Sequence, residues 1–154
     1  MIDELYSAKI LKAAANLPRL QRLAHPDGSA EKVSKLCGSR IVVDVAMDGE
    51  RVSDFGQDVK ACALGQAAAA VLAANVIGAD VKEIEMARDA FRAMLKEGGA
   101  PPTGRFADLA MLEQVKDYPP RHASSLLAFE AAAEACRLAI AARTTGRTSR
   151  AGAA

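Results

Sequence analysis

Apolar residues open the chain at a helical spacing. Ile2, Leu5, Tyr6, Ile10, Leu11 and Ala14 recur three or four positions apart, which predicts an amphipathic helix over 2–17. Pro18 has no backbone N–H to continue it, so the helix ends near Asn16. Residues 19–30 read as a loop, because Pro26, Asp27, Gly28 and Ser29 make a dense turn signal. The period then changes. Ile41, Val42, Val43, Val45 and Met47 form a β-branched run in which Val43, Val45 and Met47 share one face and Asp44 points to the other. Asp48-Gly49 is a hairpin signal. Beyond it, alternation puts Val52, Asp54 and Gly56 on one face and Phe55 on the other. Residues 39–47 and 50–58 are therefore expected to pair as an antiparallel hairpin, with a weaker third strand near 31–36.

From Ala63 onward the pattern is helical. An Ala-rich helix is expected over 63–77, stopped by Gly78. Asp80 and Glu83 have capping-box spacing, so a second helix starts there and runs to about Lys96, before Gly98-Gly99. Phe106 to Val115 forms a short helix, broken at Tyr118-Pro119-Pro120. A last helix covers about His122 to Ala142, and the polar, small-residue tail from Thr144 frays. No internal repeat is present. Helix, strands, then helices predicts an α+β fold, a small antiparallel three-stranded sheet packed against a set of helices. Residues 1–143 read as one domain and 144–154 as a flexible tail.

Composition narrows the function classes. Lys plus Arg is 20 and Asp plus Glu is 19, and this balance argues against a general nucleic-acid binder. Aromatics are only 4% with no Trp, so aliphatic residues and Ala must fill the core. At 154 residues the chain buries roughly 68–70% of its unfolded surface and needs no disulfide to fold. Three widely spaced cysteines make no disulfide framework, which favours a reducing cytoplasm. No run approaches a membrane span, and the acidic N-terminus is not a secretory signal.

Candidate chemistry gathers at the hairpin. Cys37 precedes Gly38 just before the first confident strand, and Cys62 heads the Ala-rich helix after the second. Unpaired N–H groups and the helix dipole at that head favour a thiolate. A hairpin returns the chain, so both cysteines flank it at one end, within reach of a shared ion. Each alone reads equally well as a small buried hydrophobe. His122 starts the last helix and is a candidate metal ligand, or else a polar N-terminal residue. Ser124 is close enough in sequence to share its site. Cys136 lies about 21 Å further along that helix and reads as core, and His25 reads as solvent-exposed. Phosphate loops, the nucleophile elbow, HExxH and CxxC are absent, so no catalytic residue is assigned.

Together these segments resemble the IscU/NifU-N-type iron–sulfur cluster assembly scaffolds, over about residues 5–135. Leu5 to Ile10 followed by Asn16-Leu17-Pro18-Arg19 resembles the family's opening helix and Asn-Pro-Arg segment. Cys37-Gly38 resembles its first Cys-Gly-Asp, with Ser39 at the Asp position. Ala61-Cys62-Ala63 resembles its second cysteine motif. Ser124 to Ala131 resembles the segment that begins with its third cysteine, and Ser124 stands at that cysteine position. A register one residue different would put His122 on the family's His position and Ala123 on the Cys position. In either register the third thiolate is missing, and a serine oxygen is a harder ligand for a cluster.

The resemblance implies a non-enzymatic carrier that holds an iron–sulfur cluster transiently through Cys37, Cys62, His122 and Ser124. Two cysteines and a histidine also suit Zn²⁺ with an open position. The implied partners are a cysteine desulfurase, cluster acceptor proteins and a chaperone at the Pro119-Pro120 segment, with neither nucleic acid nor membrane, and with a homodimer left open. Two alternatives accompany this reading. One is a zinc-holding or metal-free interaction module of the assembly machinery; the other is a persulfide sulfur acceptor that needs no metal.

Overall fold

The computed structural model describes residues 7–35 and 38–153, with 143–153 as backbone only. Helix α1 (Ala8–Ala15) begins at Ser7, whose hydroxyl accepts from the Ile10 N–H at 3.4 Å. It ends at Asn16, as Pro18 requires. The start of the expected helix, residues 1–6, lies outside the described residues.

Strands β1 (Gly28–Val33), β2 (Arg40–Asp48) and β3 (Arg51–Lys60) form an antiparallel sheet in the order β1-β2-β3. The weak strand expected over 31–36 starts three residues earlier than that, inside the expected loop. Asp27 already bonds to β2: its N–H donates to the Val45 carbonyl at 2.8 Å and its carboxylate accepts from Met47 N–H at 2.7 Å. Gly28 is already a strand residue opposite Val45. A Cβ there would overlap the Ala135 carbonyl and lie 2.7 Å from the Ala139 nitrogen. This glycine serves the close approach of a helix, and in the sequence it looks the same as a turn glycine.

One expectation about faces is corrected. Val52 and Phe55 were expected on opposite faces of β3, yet both are buried in the core, at 1% and 2% exposure. The register shows the cause: Val52 pairs with Met47, Asp54 with Ala46 and Phe55 with Val45, so Ser53 is an extra residue. A β-bulge inverts the alternation beyond it.

Helices α2 (Ala63–Asn75) and α3 (Val81–Glu97) follow, the latter with the expected capping box at Asp80 and Glu83. The stretch Gly104–Asp117 is 3-10 helix rather than α-helix. Its buried residues, Phe106, Leu109, Leu112 and Val115, recur every three positions, which is the 3-10 period. A 3-10 turn at Pro119–Arg121 leads into α4 (His122–Ala153), which is helical beyond the expected end at Ala142.

Helix α4 lies across β1 and β2, with α2 and α3 packed beside it. Phe129 of α4 meets Phe91 of α3 and Phe106 edge-to-face, at centroid distances of 6.0 and 5.2 Å. The Ala-rich face of α2 lets the helices approach closely, since Ala67, Ala68 and Ala69 are fully buried. The sheet's other face is covered by the strap of residues 19–23. Arg22 donates to both Asp44 carboxylate oxygens at 2.6 and 3.0 Å, and Leu23 N–H and Ser29 Oγ donate at 3.0 and 2.6 Å. Asp44, on the face away from the helices, is thus fully buried. The fold is the expected α+β architecture, a three-stranded antiparallel sheet carrying helices on one face.

Candidate functional site

Cys62 is the N-cap residue of α2, extended at φ −69°, ψ 172°, and its side chain makes no capping bond. It is half-buried and free of any disulfide. Its Sγ lies 3.8 Å from Ser124 Oγ in the first turn of α4. Ser124 is fully buried and its hydroxyl also donates to the Arg121 carbonyl at 3.2 Å. Ser125 donates to the same carbonyl at 2.8 Å. The two helix starts are brought together by Gly65, one turn into α2. A Cβ there would stand 3.0 Å from the Ser124 carbonyl oxygen and 2.9 Å from the Ala61 Cβ. No sequence motif marks Gly65, and only the packing shows what it does.

His122 is 9% exposed. Its Nε2 lies 3.0 Å from the Val115 carbonyl and 3.2 Å from that of Lys116, so it donates to them. The ring ties the end of the 3-10 helix to the start of α4. Only Nδ1 is left for an ion while those bonds persist.

Cys37 lies outside the described residues. On either side of it in the chain, Ser34 N–H donates to the Ser39 carbonyl and Gly38 N–H to the Ser34 carbonyl, both at 2.8 Å, and these bonds close the β1–β2 connection. Arg40 pairs with Lys60, so this connection and Ala61-Cys62 leave the sheet at the same end. Ser39, at the position of the expected Asp, is buried. Among the described residues no three His, Cys, Asp or Glu side chains are placed to hold one ion.

The remaining candidates fall as expected. His25 is exposed. Cys136 is fully buried in α4, and burial pushes its thiol up to about 12, with Glu85 adding and Arg137 opposing. Among the described residues no helix is long and apolar enough to cross a membrane.

A family model described as the NifU-like N terminal domain matches residues 5–125. The chain belongs to that family. The match takes in Cys37, Cys62, His122 and Ser124 and stops one residue past Ser124. A crystal structure of a nitrogen-fixing NifU-like protein (N-terminal) from Brucella abortus is 51% identical, covers 90% of this chain and 96% of its own, and superposes with a TM-score of 0.88. A putative iron–sulfur cluster assembly scaffold protein for the SUF system from Fervidobacterium islandicum shares the fold at 20% identity. It covers 86% of this chain and 96% of its own, with a TM-score of 0.79. A hypothetical protein at 22% identity does the same over 86% and 97%, with a TM-score of 0.77. No curated protein matches the chain. The family match takes in the opening helix, the hairpin and the Ala-rich helix, and the Brucella structure extends the likeness to 90% of the chain.

Proposed function

We propose that this NifU-like domain is an iron–sulfur cluster assembly scaffold, a carrier rather than an enzyme, working in the cytoplasm. Cys37 and Cys62 supply thiolates, Ser124 stands where a third thiolate would be, and His122 has Nδ1 to offer. The observation that carries this reading is the meeting of Cys62 Sγ and Ser124 Oγ at 3.8 Å. Two motifs far apart in the chain, each similar to a family cysteine motif, converge at one point. A cysteine desulfurase would deliver sulfur and an acceptor protein would take the finished cluster. The exposed Pro119-Pro120 turn, covalently next to the site, is where a chaperone would dock. The hard, protonated Ser124 oxygen makes the ligand set weak for iron, which suits a carrier that must release its cargo. Zn²⁺ would fit the same nitrogen and sulfur donors, and a second chain would complete either set in a homodimer.

A second reading has its own support. Cys62 is half-exposed, uncapped and without a thiolate neighbour among the described residues, as a persulfide acceptor would be. There the Cys62 thiolate attacks the outer sulfur of a donor persulfide. The donor cysteine leaves as a thiolate, and Cys62 carries the sulfur without net oxidation.

Anaerobic reconstitution with iron and sulfide separates the two. A scaffold develops a visible chromophore that Cys62→Ala abolishes and Ser124→Cys makes slower to bleach by chelator. A folded wild type that stays colourless, yet gains one sulfur by mass after incubation with a desulfurase, leaves the acceptor reading alone.

A further inference from the structure

Ser124 differs from a thiol in what it can do to its neighbour. Its Oγ lies 3.8 Å from Cys62 Sγ. That is just outside the about 3–3.5 Å of two atoms poised to react. Packing imposes the approach, because Ser124 is fully buried and Gly65 lets its backbone meet the head of α2. A side chain at position 124 therefore faces whatever Cys62 carries. The hydroxyl there is no nucleophile. It donates to the Arg121 carbonyl at 3.2 Å, and a carbonyl is not a base that could take its proton. His122 bonds the Val115 and Lys116 carbonyls and not Ser124. The thiol of α4, Cys136, is fully buried, about 18 Å further along that helix than Ser124.

We infer that Ser124 makes Cys62 a site that keeps a delivered sulfur atom, where a cysteine in the same place would discharge it. The inference rests on the proposed delivery of sulfur to Cys62, and it adds what the site then does with its cargo. In the loaded state Cys62 Sγ is bonded to one outer sulfur. A thiolate beside it attacks Sγ. A disulfide bond forms between the two cysteines, and the bond from Sγ to the outer sulfur breaks. The outer sulfur leaves with the electron pair and the persulfide proton, as hydrosulfide. The attacking thiolate is oxidised and the outer sulfur is reduced, so no other oxidant takes part. Two groups held in one site react in this way faster than groups that meet in solution. A serine hydroxyl without a base does not enter the reaction. The outer sulfur then leaves only to a nucleophile or reductant that arrives from outside the chain.

The chain is loaded anaerobically with a cysteine desulfurase and free cysteine, and both are removed by gel filtration without added thiol. Intact mass and released hydrosulfide are then followed, with far-ultraviolet circular dichroism to report the fold. A Cys37→Ser background leaves Cys62 as the accessible thiol, since Cys136 is buried. In that background the added sulfur is expected to persist, and to persist equally in Ser124→Ala. Ser124→Cys is expected to release hydrosulfide about tenfold faster or more, at a rate independent of protein concentration. It should end as a disulfide between positions 62 and 124. Sulfur retained by a folded Ser124→Cys overturns the inference. So does release from Ser124→Ala as fast as from Ser124→Cys, because a loosened site and not a thiol would then be the cause. The Cys37→Ser chain decides without Ser124→Cys: sulfur held there supports the inference, and concentration-independent release overturns it. A disulfide between Cys37 and Cys62 formed on discharge of the wild type also overturns it. The outcome is separable from the reading on which it rests. A Cys62 that takes up no sulfur removes both, whereas sulfur taken up and then discharged within the chain removes this inference alone.

Discussion

At the residue scale, the most consequential polar group away from Cys62 is Asp44. Burial by itself would raise its pKa, but the hydrogen bonds from Arg22, Ser29 and the Leu23 N–H outweigh that cost and hold it below the usual carboxylate range. A folded-state pKa below the unfolded one means that ionised Asp44 stabilises the fold above about pH 4. That contribution is lost as pH falls through the depressed folded value. Asp44→Asn keeps the shape and removes the charge, leaving the strap donors poorly matched. Urea denaturation at pH 7 is expected to show a loss of about 2–4 kcal/mol. The gap between wild type and variant should shrink as pH is lowered below 4; a gap constant with pH would contradict the role given to the charge.

At the scale of elements, the decisive contact is between the starts of α2 and α4. Gly65 sets their separation, and Cys62 and Ser124 are neighbours because of it. A methyl group at 65 meets a backbone carbonyl, which cannot rotate aside. Gly65→Ala is therefore expected to cost about 1–3 kcal/mol in spite of its better helix propensity. It should also accelerate cluster loss more than an equally destabilising change remote from the site. Thermal melting and chelator bleaching of the reconstituted protein together check this. The control is Asp80→Ala, which removes the α3 cap at a cost of about 1 kcal/mol and leaves the α2–α4 contact untouched.

For the whole molecule, the aromatic-poor core depends on few large side chains. Phe129 joins α3, the 3-10 segment and α4, so Phe129→Ala is expected to cost about 3–5 kcal/mol. Alkylation with iodoacetamide reports the same cooperativity. Cys62 should be labelled in the native protein, whereas Cys136 should be labelled only on unfolding, as its burial and raised pKa dictate. Labelling of Cys136 under native conditions would mean that α4 opens locally. In Phe129→Ala, Cys136 labelling should begin at lower urea, in step with the loss of helical signal.

Much of this was legible along the chain, because it is written in local chemistry. The Ser7 and Asp80 caps, the Asp48-Gly49 hairpin, the stop at Pro18 and the Ala-rich stretch each act through residues a few positions apart. The α+β order followed from them. What the tertiary structure alone decided involves atoms that meet across the fold. An extra residue at Ser53 turned Val52 and Phe55 to one side, and a helix claimed Gly28 from a turn. A strap buried an aspartate that alternation had placed on the polar face. His122 spends one ring nitrogen on two carbonyls, a use that depends on where the 3-10 helix ends. The distance between Cys62 and Ser124 belongs to the same class. Residue types and their periodicity specify which groups are available, but separation in space is set by backbone approach, and that is known only once the helices have packed.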